Sequence, residues 1–290
     1  SLGNLFGNAI HLDEKDKKIA IMCGMSAVFS ALFGTPVAAA IFPLEVISIG
    51  VLYYAALVPC IFSSFIGVGI ARYLGIAGEH FTVLSIPAIS VSSVGWIIFL
   101  SALCAGVSIV FCLMLHGAEH TYRKIFPNPY VRILAASAIF ILLTLLIGTR
   151  DYCGSSMPLI ERSMEGEIGY EAFFLKMLFT AIALGAGFKG GEIVPVLFIG
   201  STFGAAYGGF FGLAPSFAAG LGMTAVFCGV TNSPLTSILL AYELFGGQSL
   251  ALFALPVTVA YMLSGYYGLY SEQKILYSKL KPRFIDRKTK

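Results

Sequence analysis

The stretch GAGFKGGEIVPVLFIGSTFGAAYG, Gly185 to Gly208, joins a glycine-rich, proline-interrupted segment directly to an apolar run of helical character. It predicts a broken membrane helix. Gly187, Gly190 and Gly191 free the backbone to turn. Pro195 suits the first turn of the helix that follows, and Gly200, Gly204, Gly208 and Gly212, spaced every fourth residue, make a small-residue packing face. A helix that starts there has its N-terminus inside the hydrophobic layer. Unpaired N–H groups and the positive end of the helix dipole at that depth form an anion site, and non-helical backbone persists in a membrane only where protein buries it or it lines a cavity.

The rest of the chain agrees with a membrane setting. Its 290 residues are 58% hydrophobic and only 11% charged, with a mean hydropathy of +0.88, which excludes an ordinary soluble domain. The predicted class is an all-α polytopic membrane protein. Val51 to Val68, Val94 to Leu115, Val131 to Ile147 and Ala172 to Leu184 approach or reach the roughly 20 residues that cross a bilayer. Shorter runs interrupted by Gly and Pro predict tilted and discontinuous helices. The net charge of +3 comes with no basic stripe, so no nucleic-acid partner is expected. Basic residues collect in the tail, residues 279–290, which is expected on the cytoplasmic side. Six scattered cysteines read as small core residues rather than metal ligands or a disulfide framework. The opening SLGNLFGNAI has no signal-peptide character.

Read in order, the chain contains itself twice. GMSAVFSALFGTPVAAAIFPLE, Gly24 to Glu45, and GMTAVFCGVTNSPLTSILLAYE, Gly222 to Glu243, align without a gap. Gly222 lies 198 positions after Gly24, as Pro234 does after Pro36 and Glu243 after Glu45. Upstream, LGNLFG at Leu2 to Gly7 parallels FGAAYG at Phe203 to Gly208, which places the copies around residues 1–50 and 200–247 of a single transmembrane transporter domain, 1–290. The first copy's counterpart of Gly185 to Pro195 is then expected before Ser1, so the domain reads as truncated at its start. Paired halves of this kind mark transporter folds whose substrate site lies at the repeat interface. Between the copies, Val46 to Val68 and Val94 to Leu115 read as long helices, His116 to Tyr130 as a polar loop, and Gly148 to Glu171 as a partly ordered connection. Leu250 to Leu269 reads as a helix and Tyr277 as part of a short C-terminal one.

Several residues carry candidate chemistry. His116, Glu119 and His120 spell the H-x-x-E-H of an inverted zinc-protease motif, but no further ligand is evident and polar residues at a membrane exit are the simpler account. Gly185, Gly187 and Gly190 fit G-x-G-x-x-G without the strand a dinucleotide site needs. Carboxylates in apolar helices are costly enough to demand a role. Glu45 and Glu243 end the two copies at matching positions and are expected to accept hydrogen bonds from nearby backbone. Glu192, inside the glycine-rich loop, is the functional candidate. The Tyr277 hydroxyl is either an interface anchor or a ligand.

Together, GGEIVPVLFIGSTFGAAYG, TNSPLTSILLAYELFG, FGTPVAAAIFPLE and KILYSKLKP resemble the CLC family of anion channels and proton-coupled anion antiporters, along the whole chain. The resemblance implies a homodimer with a pore in each subunit, an inverted repeat, and an integral protein of a bacterial-type plasma membrane that needs no cofactor or metal. It also implies a central anion held by the amides of Glu192 and Ile193 and by the Tyr277 hydroxyl. The family's serine and gating-glutamate motifs, G-S-G-x-P and G-[KR]-E-G, are expected before Ser1. Val46 stands where proton-coupled chloride exchangers carry an internal glutamate, and Glu192 where they carry an apolar residue. Both departures resemble the fluoride/proton antiporter branch, although Val194 replaces a polar residue common there. The expected function is proton-coupled fluoride export, with a chloride channel or exchanger as alternative and an intramembrane metalloprotease as the reading from another class.

Overall fold

The computed structural model describes residue 8 and residues 11–247, 250–281 and 283–289. The Leu2 to Gly7 side of the upstream repeat lies outside the described residues. Eleven α-helices run α1 (Glu14–Phe33), α2 (Pro36–Val46), α3 (Leu57–Tyr73), α4 (Val91–Ile125), α5 (Pro129–Ile147), α6 (Met157–Glu165), α7 (Ala172–Gly185), α8 (Ile193–Gly208), α9 (Pro215–Thr231), α10 (Pro234–Phe245) and α11 (Leu250–Leu263) among the described residues. Three short strands, β1 (Ser48–Ile49), β2 (Lys274–Tyr277) and β3 (Phe284–Lys288), form a sheet in that order. Among the described residues, four segments are long and apolar enough to cross a membrane: Tyr54–Tyr73, Val91–Ile125, Pro129–Ile147 and Ile193–Phe211. At about 1.5 Å per residue the 35-residue α4 is about 52 Å long, more than a hydrocarbon core of about 30 Å, so it must tilt or project.

The residues gather in two compact units. The first comprises Ser1–Thr82, Thr231–Ala254 and Tyr270–Lys290. Here α1, α2 and α3 pack around Met22, Leu44, Ala56 and Cys60, and Phe29 meets both Phe33 and Phe42. The repeat is visible in the backbone. Before α2, Gly34 is left-handed at φ 73° and Thr35 sits at φ −114°, ψ 76°; before α10, Asn232 is left-handed at φ 60° and Ser233 sits at φ −117°, ψ 76°. Each helix then begins with a proline, which has no N–H to lose.

Neither Thr35 nor Ser233 caps its helix with its own side chain. The cap comes from the other copy. Glu243 accepts from Val37 N at 3.0 Å and Ala38 N at 2.8 Å, while Glu45 accepts from Leu235 N at 3.0 Å and Thr236 N at 2.7 Å. Thr236 Oγ1 adds a third bond to Glu45 at 2.7 Å. Each carboxylate thus meets the positive end of a helix dipole and satisfies two N–H groups that no carbonyl of their own helix can reach. Buried Gln273 braces the junction where Glu45 caps α10, donating Nε2 to Val46 O, next to Glu45, and to Thr231 O, just before α10, each at 2.8 Å.

The second unit comprises Val83–Val230 and Leu255–Leu269. Helices α8 and α9 cross so closely that a Cβ on Gly200, Gly204 or Gly222 would run into the opposing backbone. Gly208 packs on Ala218, but Gly212 does not belong to this face. It meets nothing within 4 Å and ends the segment in a left-handed turn at φ 68°. Other expectations also change. His116 to Ile125 is helical, because α4 continues as a polar extension rather than becoming a loop. The predicted helix from Leu250 stops at Leu263, before the left-handed Gly265. The expected span from Val46 is interrupted at β1 and restarts near Tyr54, and Met157–Glu165 gives the Gly148 to Glu171 connection a helix of its own.

At the approach to α8, Gly187 adopts φ 101°, whereas Gly190 and Gly191 keep backbone that other residues can share. Gly187→Ala is therefore expected to cost about 1 to 3 kcal/mol, and Gly204→Ala a similar amount by overpacking the crossing, about 1 to 3 kcal/mol. Gly191→Ala, with open space around it, should stay within about 0.5 kcal/mol of the parent. Thermal unfolding of the three variants in detergent checks this. Equal effects at Gly187 and Gly191 would contradict the backbone assignment.

Candidate functional site

The segment from Ala186 to Glu192 turns the chain from the end of α7 to the start of α8. Arg132, in the first turn of α5, fastens it by donating Nε to Ala186 O at 2.9 Å. Gly185 lies against Ala118 of α4, too close to admit a side chain. The predicted G-x-G-x-x-G therefore follows a helix and opens no nucleotide fold. The first backbone bond of α8 runs from Val196 N to Glu192 O at 3.3 Å. The N–H groups of Glu192, Ile193 and Val194 have no acceptor among the described residues, and Pro195 has none to offer. Three donors at the positive end of a 16-residue apolar helix thus remain available to an anion.

Glu192 itself is partly buried at this point, and its side chain makes no hydrogen bond or ion pair among the described residues. The negative charge of Glu119 acts on it, and Glu119 is itself held by Arg123 at 2.6 Å. That ion pair, one helical turn apart on α4, also occupies the glutamate of the H-x-x-E-H motif. His116 Nε2 lies 3.2 Å from Leu269 O, and no group of three or more His, Cys, Asp or Glu residues could hold a metal among the described residues. The zinc-protease arrangement finds no geometric support.

Among the sequence candidates, Gly187, Gly190, Gly191, Glu192, Ile193 and Pro195 come together at the head of α8. Pro36, Glu45, Pro234 and Glu243 come together in the reciprocal caps of the first unit. Tyr277 also belongs to the first unit, and its setting differs from expectation. It ends strand β2, not a helix, because the Lys274–Tyr277 run pairs with Ser48–Ile49 on one side and Phe284–Lys288 on the other. Its ring meets Phe284 edge-on at 5.6 Å, and its Cβ presses on Gly50, leaving the side chain 46% exposed.

One residue was overlooked in the sequence. Lys176, in the middle of apolar α7, is 1% exposed. Its ammonium donates to Gly154 O at 2.7 Å, Ser156 Oγ at 2.8 Å and Tyr152 O at 3.2 Å, and it lies 5.4 Å from the centre of the Phe198 ring. All three protons are used and no carboxylate pairs with it among the described residues. A lone charge in AFFLKMLFTAIALG was the available signal.

Comparison with known proteins agrees with this architecture. A family profile described as "Voltage gated chloride channel" matches residues 1–265. A "Chloride/fluoride channel protein" of Pseudomonas syringae pv. tomato is 30% identical over 96% of this chain and 63% of its own length. An "H(+)/Cl(-) exchange transporter ClcA" of Vibrio cholerae is 24% identical over 87% of this chain and 57% of its own. The chain thus spans roughly three fifths of these curated relatives. A crystal structure of a CLC-type fluoride/proton antiporter superposes with a TM-score of 0.90 at 31% identity, covering 94% of this chain and 70% of that one. A cyanobacterial Cl-/H+ antiporter at 22% identity, TM-score 0.70 over 90% of this chain and 64% of its own, shares the fold. With its apolar helices, its interrupted α7–α8 passage and its match to the family profile over most of its length, this integral membrane chain belongs to the voltage-gated chloride channel family.

Proposed function

We propose that this protein exchanges fluoride for protons across a bacterial plasma membrane, as a homodimer with its basic C-terminal tail in the cytoplasm. The observation that carries the reading is Glu192. A carboxyl with no fixed partner stands at the head of α8, beside three unused N–H donors, in a chain whose fold matches that of a fluoride/proton antiporter.

The chemistry follows from the ion. Fluoride holds its water far more tightly than chloride, so a selective site must supply strong hydrogen-bonding groups. The amides of Glu192 and Ile193 donate to either halide. A protonated Glu192 adds an O–H donor to the fluoride and gives up its proton to the opposite side as the anion leaves, whereas the ionised carboxylate repels a large halide that gains less from the amides. The same group supplies a proton carrier in a chain that has Val46 where chloride exchangers have an internal glutamate. The reciprocal caps keep Glu45 and Glu243 occupied as acceptors, which leaves Glu192 the carboxyl free for this work. The Tyr277 hydroxyl is assigned as a further anion ligand.

Paired fluoride, chloride and pH-electrode recordings on proteoliposomes test the proposal. Glu192→Gln and Glu192→Ala are expected to impair proton-coupled fluoride flux and narrow the fluoride-to-chloride preference. Wild-type flux, coupling and selectivity in both variants would return Glu192 to the backbone architecture, and a parent protein that moves chloride in preference to fluoride would favour a chloride carrier. Tyr277→Phe, read by calorimetry, is expected to weaken halide binding about tenfold or more, the value of one hydrogen bond to a charged partner. Unchanged affinity would leave Tyr277 as a packing residue of the sheet.

A further inference from the structure

In the second unit a cavity of about 630 Å³ lies along α5, between that helix, α7 and the head of α8. This is within the roughly 300 to 1,000 Å³ of small-molecule sites. Its walls are mainly apolar, with Ala136, Phe140, Phe179, Ala183 and Leu184 prominent. It is open on the outside, since Ile141 and Phe188, which line it, are 58% and 41% exposed. Helix α5 presents Leu134, Leu142, Leu145 and Leu146 to the surroundings, and almost none of it is buried, so the opening lies beside the exposed face of a helix long and apolar enough to cross a membrane.

The two charged side chains that line this cavity among the described residues are both cationic, and Glu192 lies between the lining residues Gly191 and Val194. Lys176 and Lys189 line it, Arg132 stands beside the Ala186–Gly187 turn, and no carboxylate lines it. The three play different parts. The Lys176 ammonium is fully engaged by three neutral acceptors, so it contributes a fixed positive charge to the wall and its methylene stem to the lining. Lys189 is exposed at the mouth, next to Gly190 and Gly191, and can close on a headgroup. At the far end the Tyr152–Ser156 segment seals the space, held by Lys176 and by the contact of Cys153 with Thr144 in the last turn of α5.

An apolar slot beside an exposed apolar helix, with the free ammonium of Lys189 at its mouth and no carboxylate among its described lining residues, fits an acyl chain with an anionic head. We propose that it holds one chain of an anionic phospholipid, whose phosphate is bound by Lys189 and Arg132. The occupant braces the Phe188–Gly191 segment that leads into α8. This goes beyond the transport proposal and does not depend on it.

Native mass spectrometry of the purified protein, with phosphatidylglycerol or phosphatidylcholine of the same chains added in equal amounts, reads the site directly. Phosphatidylglycerol is expected to be retained in preference, one per chain. Lys189→Gln is expected to lower that retention about fivefold, the share of one basic group near a lipid headgroup, without changing phosphatidylcholine. Ala183→Trp, which fills the slot, should abolish retention of both, and inorganic phosphate should not compete. Equal retention of the two lipids, competition by free phosphate, or wild-type phosphatidylglycerol binding in Lys189→Gln would overturn the proposal. Because Lys189 lies in an exposed segment, that variant decides the matter even if Ala183→Trp fails to fold.

Discussion

Two carboxylates, each placed at the end of one repeat and each capping the first turn of the other, are the constraint on which the first unit rests. A helix beginning inside a membrane has N–H groups that water cannot reach, and each one left unpaired costs several kcal/mol or about that order. In α2 and α10 the proline at the first position removes one donor, and the partner copy's glutamate takes the next two. The arrangement closes on itself because the repeat is symmetric. Each copy needs an acceptor at its start and supplies one at its end.

Helix α8 also carries a proline in its first turn, at the third position rather than the first, but no carboxylate folds back over its N–H groups among the described residues. The contrast separates structure from function within one chain. Where the helix start is sealed by Glu45 or Glu243, the fold is held together; at α8 it is left open beside a carboxyl without a partner, and there we propose that the anion binds. The Lys176 anchor and the Arg132 bond to Ala186 stiffen the surroundings of that open end without blocking its donors.

The repeat, the broken α7–α8 passage and the candidate donors at Glu192 and Ile193 were legible because they are local. They need only Gly, Pro and Glu at fixed offsets. The cross-capping was not legible, since Glu45 meets Leu235 and Thr236 across 190 and 191 residues and nothing local says which helix start a buried carboxylate will find. The same holds for Tyr277, whose short apolar run suits a helix or a strand equally; its partner at Ser48–Ile49 decided for the strand. The polar end of α4 was misread as a loop for another reason. Polarity marked where the chain leaves the hydrocarbon, not where the helix ends, and the Glu119–Arg123 pair four residues apart was the overlooked sign of continued helix. Lys176 was passed over because one charge barely alters the hydropathy of an apolar run.

The reciprocal caps can be read amide by amide. Hydrogen exchange measured at Val37, Ala38, Leu235 and Thr236 should show all four protected in the parent protein. Glu45→Ala should release Leu235 and Thr236 by about tenfold or more, the value of a charge-assisted hydrogen bond, while Val37 and Ala38 stay protected; Glu243→Ala should do the reverse. If both variants expose the same amides, or neither exposes any, the two copies are not held together by each other's carboxylates.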